Sequence, residues 1–194
     1  MTPWNEPFER FAVLYAEARA AIPVDPNAVQ LATVDEAGRP SVRTVLMKDF
    51  DARGWVFYGN RLSRKGRHLA ARPQAALNFF WPALLVQVRI EGEVALVSDA
   101  ESDAYFATRP RESQLGAWAS LQSQPLDDRA TLEARLAELG RTYQGRPVPR
   151  PPHWGGWRLA PSYLEFWKGH PHRLHWREVY TRAGEGWTRS MLYP

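Results

Sequence analysis

The 194-residue chain has no cysteine, which removes disulfide frameworks, thiolate zinc sites, iron–sulfur clusters and cysteine nucleophiles together. No apolar run approaches the ~20 residues of a membrane span, so no membrane partner is expected. The opening Met-Thr-Pro-Trp-Asn-Glu lacks the basic and apolar stretches of a secretory leader, and the expected location is cytoplasmic. Gly-x-Gly-x-x-Gly, the Walker loop and Gly-x-Ser-x-Gly are all missing, so dinucleotide-fold, NTPase and esterase readings have no support. Lysine is scarce, at three residues against 22 arginines. Arginine grips phosphates and carboxylates with a two-pronged fork, which points to an anionic ligand. An Arg-, Ala- and Pro-rich composition is equally what a biased genome produces. What is present is ordinary for one globular domain spanning 1–194: 44% hydrophobic and 24% charged residues, with nine tryptophans and a formal net charge of +4. That modest charge, with no basic stripe, speaks against a nucleic-acid partner.

Phe8, Phe11, Leu14, Tyr15 and Ala18 recur at helical spacing, predicting an amphipathic helix over 7–21. Val29 to Thr33 and Ser41 to Lys48 flank a glycine-containing loop and predict a hairpin. Further strands are expected over 55–58, 75–81 and 85–97, the last alternating Val86, Val88, Ile90 with Gln87, Arg89, Glu91. Ser63 can cap a short helix through Ala71, and Ser98-Asp-Ala-Glu101 is a capping box for a helix reaching Thr108. Pro110 opens another short helix, and Leu126 to Tyr143 is the longest helical stretch. Residues 145–153 form a proline-rich surface loop. Strands return over 157–159, 163–167, 174–181 and 187–192. Six or more strands with outlying helices imply an α+β domain built on a closed antiparallel barrel.

Four clusters carry chemistry. Arg43 and Lys48 end a strand, and Ser63-Arg64-Lys65 begins a helix, so cations, a hydroxyl and free N–H groups can converge on a phosphate. A solvated strand end and a plain helix cap read the same way. Tyr105, Arg109, Arg111 and Ser113 surround a helix break and suit a second small anion, or else surface salt bridges to Asp103 and Glu112. On a strand, Arg173, His175 and Arg177 would share one face and Leu174 and Trp176 the other, giving a cationic surface for a planar anionic ligand or simply a polar outer face. The three histidines at 170, 172 and 175 lack a cysteine or nearby acidic ligand, so no metal is expected.

These residues carry a resemblance. Arg43-Thr-Val-Leu-Met-Lys48, Phe57-Tyr-Gly-Asn60, Ser63-Arg-Lys65, Arg109-Pro-Arg-Glu-Ser-Gln-Leu-Gly-Ala-Trp118, Gln122-Ser123, Trp154-Gly-Gly156, Glu165-Phe-Trp167 and Arg173-Leu-His175 recur in the order of the pyridoxamine 5′-phosphate oxidase family, which the chain closely resembles across nearly its whole length. The resemblance implies a split antiparallel β-barrel of the FMN-binding type with peripheral helices, forming a homodimer with FMN at the subunit interface. It implies FMN contacts from Arg43, Thr44, Val45, Leu46, Met47, Lys48, Tyr58, Gly59, Arg64, Lys65, Gln87, Gln122, Ser123, Trp167 and Arg177. Lys48, Tyr105, Arg109 and Ser113 would grip a substrate phosphate, with Arg173, Leu174 and His175 beside its pyridine ring. Arg173 and His175 would be the catalytic pair. The implied reaction is oxidation of pyridoxamine or pyridoxine 5′-phosphate to pyridoxal 5′-phosphate, with molecular oxygen giving hydrogen peroxide. A phenazine-type flavin oxidase and a non-catalytic flavin-binding module are the alternatives. Two departures stand out: Trp176 replaces the acidic residue usual after the last motif, and the family's basic N-terminal arm is not matched.

Overall fold

A computed structural model describes residues 6–194; residues 1–5, which carry the leader reading, lie outside the described residues. The chain runs α1 (Glu6–Ala21), β1 (Ala28–Val34), β2 (Pro40–Asp51), β3 (Gly54–Asn60), α2 (Arg64–Ala71), β4 (Gln74–Trp81), β5 (Val86–Leu96), α3 (Asp99–Ala107), α4 (Arg111–Ala119), α5 (Arg129–Thr142), β6 (Trp154–Lys168), β7 (Trp176–Ala183) and β8 (Gly186–Met191). Short 3₁₀ turns lie at Pro82–Leu84 and Pro171–Arg173.

All strand pairs are antiparallel, in the order β3-β2-β1-β4-β5-β6, and β3 pairs back onto β6 to close a six-stranded barrel. β7 and β8 continue the sheet beyond β6. Period-two burial explains the strands: β1 alternates half-buried with buried residues, and β5 buries Val86, Val88 and Ile90 while Gln87 and Arg89 face outward. α1 plugs the barrel with its apolar stripe. Phe11 is fully buried, 5.1 Å from both Trp55 and Phe79. Burying such a ring contributes about 2–3 kcal/mol. A second cluster of Phe106, Leu115, Val148 and Trp154 seats α3 and α4 outside β3 and β6.

Four expectations need correction. The strands expected at 157–159 and 163–167 are one strand, β6, because a register shift between the Gly92–Pro161 and Glu91–Tyr163 pairs absorbs Ser162 and carries the ladder past the proline. Leu85 is not in β5; at φ 51° it ends the 3₁₀ turn. The long helix starts at Arg129, where Asp128 caps it through Thr131 N–H at 2.7 Å. Most consequentially, no strand covers 173–175. Arg173 lies in a turn with His172 and Arg173 at φ 57° and 62°, and β7 begins only at Trp176. The shared-face argument for Arg173, His175 and Arg177 therefore fails. The loop over 145–153 does exist, but it buries Val148 and Pro151 and is pinned by Trp118 Nε1 donating to Pro149 O at 2.7 Å.

Candidate functional site

A cleft of about 980 Å³ opens between β2, the start of α2 and the α3–α4 corner. Ser63 caps α2, accepting from Gly66 N–H, and so turns the first helical N–H groups toward the cleft. Lys65 is buried there. Its Nζ donates to Ser63 Oγ at 3.1 Å and to Gln122 Oε1 at 2.8 Å. Burial, followed by the charge of Arg43, pulls its pKa down to about 8. Gly59 makes room for it: a β-carbon there would sit 3.0 Å from Lys65 Cε and Nζ. Arg64 N–H donates to Ser123 Oγ at 3.1 Å, and Ser123 adopts a left-handed φ of 71°. Arg43 is held on β2 by Leu31 O, Thr33 Oγ1 and Ser41 Oγ; burial and the charge of Arg64 lower its pKa.

At the other end, the Tyr58 and Tyr105 rings stack at 4.2 Å, and Trp154 continues the stack 5.4 Å from Tyr58. The Arg109 guanidinium lies 4.8 Å over the Trp154 ring, and its Nη1 is buried with no hydrogen-bond partner. Burial lowers its pKa. Five cations line the cleft (Arg43, Lys48, Arg64, Lys65 and Arg109), and no carboxylate lines it among the described residues. Such a cleft is built for a multiply charged anion.

Of the residues expected at the site, the cleft brings together Arg43, Thr44, Val45, Leu46, Lys48, Tyr58, Gly59, Arg64, Lys65, Tyr105, Arg109, Ser113, Gln122 and Ser123. Met47 does not line it, since β2 turns that side chain into the barrel core. Gln87, Trp167, Arg173, Leu174, His175 and Arg177 do not line it either. Gln87, Trp167 and Arg177 are instead consecutive cross-strand partners on the outer face of β5, β6 and β7. Trp167 also borders a second cavity of about 510 Å³ beside Arg10 and Trp176. His175 leans on Trp167, ring centroids 4.6 Å apart, and its Nδ1 accepts the His170 N–H at 3.1 Å. In the neutral ring the proton is therefore on Nε2, which is free to donate.

Sequence reasoning missed Glu165 as a site residue. It is 1% exposed although it points outward. Arg177 donates to it from Nε at 2.7 Å and Nη2 at 3.1 Å, with Arg89 and Tyr163 adding bonds at 3.1 Å each. Burial pushes its carboxyl up, but those donors and the two arginine charges outweigh it and leave the pKa below the ordinary value. The signal was a lone acid between the buried Leu164 and Phe166. Trp176, by contrast, is 58% exposed. The carboxylate that orients Arg177 comes from β6, not from position 176.

Comparison with known proteins gives consistent matches. Residues 14–143 match the family model described as pyridoxamine 5′-phosphate oxidase, and residues 154–194 match the pyridoxine 5′-phosphate oxidase C-terminal dimerisation region. A pyridoxine/pyridoxamine 5′-phosphate oxidase from Myxococcus xanthus is 59% identical over 97% of this chain and 92% of its own length. One from Rubrobacter xylanophilus is 55% identical over 97% and 87%. Among solved structures, PhzG from Burkholderia lata, in complex with tetrahydrophenazine-1-carboxylic acid, superposes with a TM-score of 0.92 at 33% identity, covering 100% of this chain and 97% of that one.

Proposed function

The chain belongs to the pyridoxamine 5′-phosphate oxidase family, a family of oxidoreductases, and from that premise we propose that it oxidises pyridoxamine and pyridoxine 5′-phosphate to pyridoxal 5′-phosphate, using FMN and molecular oxygen and releasing hydrogen peroxide. The observation that carries this reading is the cleft with five cations and no carboxylate. FMN and the substrate each bring a phosphate, and two dianions are what such a charge excess accommodates. The unpartnered Nη1 of Arg109 and the room that Gly59 leaves at Lys65 fit the same demand. A tricyclic carboxylic acid of the phenazine type, the second reading, would leave Lys48, Tyr105, Arg109 and Ser113 without a phosphate to hold.

In this reading Arg43 to Lys48, Tyr58, Gly59, Arg64, Lys65, Gln122 and Ser123 hold FMN, and Lys48, Tyr105, Arg109 and Ser113 hold the substrate phosphate. Because Gln87, Trp167 and Arg173 to Arg177 lie off the cleft of their own chain, they reach a ligand only in the cleft of a second copy. The working unit is then a homodimer, to which the match of 154–194 to a dimerisation region lends support. Bound FMN supplies the two-electron acceptor. Arg173 presses the pyridine ring into place, and His175 donates from Nε2 to a polar ring substituent. Arg43, Lys48, Arg64, Lys65 and Arg109 would surround the bound anions with positive charge.

The test is the anaerobic visible spectrum of the purified protein before and after pyridoxine 5′-phosphate. A yellow protein that bleaches supports the reaction. A yellow protein that stays oxidised removes this substrate, and a colourless protein that takes up no added FMN removes the flavin.

A further inference from the structure

Arg43 faces two other cations, Arg64 and Lys65, with no carboxylate among them. Mutual repulsion would drive a free arginine side chain out toward water. Three hydrogen bonds prevent this: Nη1 donates to Leu31 O at 3.0 Å and Thr33 Oγ1 at 2.7 Å, and Nη2 donates to Ser41 Oγ at 2.8 Å. Leu31 and Thr33 are the β1 partners of Arg43 and Ser41 in the strand register. Thr33 is 2% exposed, and behind it lies His68, itself buried, with Nδ1 3.1 Å from the same hydroxyl. A threonine hydroxyl has one hydrogen and two lone pairs. With Arg43 donating to a lone pair, the hydrogen needs an acceptor, and the side-chain nitrogen within reach is His68 Nδ1. His68 must then be the neutral tautomer with its proton on Nε2. The reverse arrangement would bury the Thr33 hydrogen unpaired, which native interiors avoid.

We propose that Thr33 and His68 are positioning residues of the cleft, forming a buried relay from His68 through Thr33 to Arg43. The relay is placed to do more than hold one side chain. Arg43 stands on β2, whereas Arg64 and Lys65 belong to α2, the same helix that carries His68 one turn later. Tying His68 to Thr33 locks helix to strand, so the cations meet at a set separation before any anion arrives. Preorganisation of that kind spares a ligand the cost of assembling its own site. The assignment rests on the flavin reading above, because it takes FMN as the anion.

Apoprotein is titrated with FMN and the quenching of flavin fluorescence followed, for wild type, Thr33→Val, Thr33→Ser, His68→Leu, His68→Asn and the Thr33→Val/His68→Leu double variant. Thr33→Val keeps the shape and deletes both bonds, and should raise the FMN Kd about tenfold. Thr33→Ser should bind like wild type. His68→Leu should weaken binding less than Thr33→Val, and His68→Asn, whose Oδ1 can replace Nδ1, should recover it. The double variant should be no worse than Thr33→Val alone, since His68 acts through Thr33. A Thr33→Val Kd within twofold of wild type, or losses that multiply in the double variant, overturns the relay. Should Thr33→Val not fold, the His68 pair decides by the same criterion. Long-range nitrogen–proton spectra of the imidazoles give a readout independent of FMN: His68 should carry its proton on Nε2, and an Nδ1–H signal refutes the proposal. If wild type takes up no FMN while His68 shows the expected tautomer, the flavin reading has failed and the hydrogen-bond chain has not.

Discussion

The cations of the cleft and those on the outer face of β5, β6 and β7 are held in opposite ways. On the outer face Arg177 and Arg89 close on Glu165, and Arg89 also reaches Glu91 at 2.5 Å. Hydrogen bonding to Glu165 leads the causes that raise the Arg177 pKa. In the cleft Arg43, Lys65 and Arg109 have no acid, and burial lowers all three. Paired charges mark finished scaffold, whereas cations half-buried or buried with no opposite charge mark where an anionic ligand completes the structure. The two regions also serve different protomers in the proposed dimer, one receiving the ligand and the other reaching over it.

If the turn at Arg173 acts on the reacting ring and not on the flavin, Arg173→Ala should cut turnover about a hundredfold while FMN stays bound. Steady-state rates beside the flavin content of the purified variant would check this, and loss of flavin would erase the division of labour. If the cleft is the anion site, Lys65→Ala should weaken FMN by about tenfold to a hundredfold, the scale of a lost charge-assisted bond. Equilibrium dialysis against FMN tests that, and unchanged retention would refute it.

Glu165→Gln should destabilise the fold by about 1–3 kcal/mol, because two arginines lose a buried carboxylate. The pH sign follows from the lowered pKa of Glu165. Its contribution is fully present above the ordinary value of 4.5 and is lost as pH falls through the lower folded value. Wild type should therefore lose stability in acid more steeply than the variant, as read by thermal midpoints across that range. Lys65 behaves oppositely. With a pKa of about 8, it gives up its charge as pH rises, so FMN affinity should fall between about pH 7 and 9, by at most tenfold per pH unit. Lys65→Arg should flatten that dependence. The smallest effect belongs to Trp176→Asp. Since Arg177 already has Glu165, restoring the acid usual in the family should shift FMN affinity by less than about twofold.

Local rules carried the reading of the fold a long way. The alternation of Val86, Val88 and Ile90, the Ser63 cap and the Ser98–Glu101 capping box all form as their spacing dictates. The cleft's two phosphate-type clusters were legible as residue types, and the fold supplied their convergence. What stayed hidden depends on partners far along the chain. β6 runs through Pro161 because β5 accommodates a register shift there. The left-handed His172 and Arg173 carry no glycine to announce them. Glu165 acquires Arg89 only through strand pairing, and Thr33 acquires His68 only when α2 folds against β1.

The closure of the barrel through β3 and β6 also has a temporal side. Trp55 pairs with Leu159, so a strand synthesised early must wait for one near the end of the chain. The pairs β1–β2, β2–β3 and β4–β5 are neighbouring hairpins and β4 then returns to β1, but the tube remains open until β6 emerges. Trp154, which backs the Arg109 end of the cleft, is the first residue of that late strand. A chain cut short before β6 therefore lacks both the strand that closes the barrel and the aromatic wall behind Arg109.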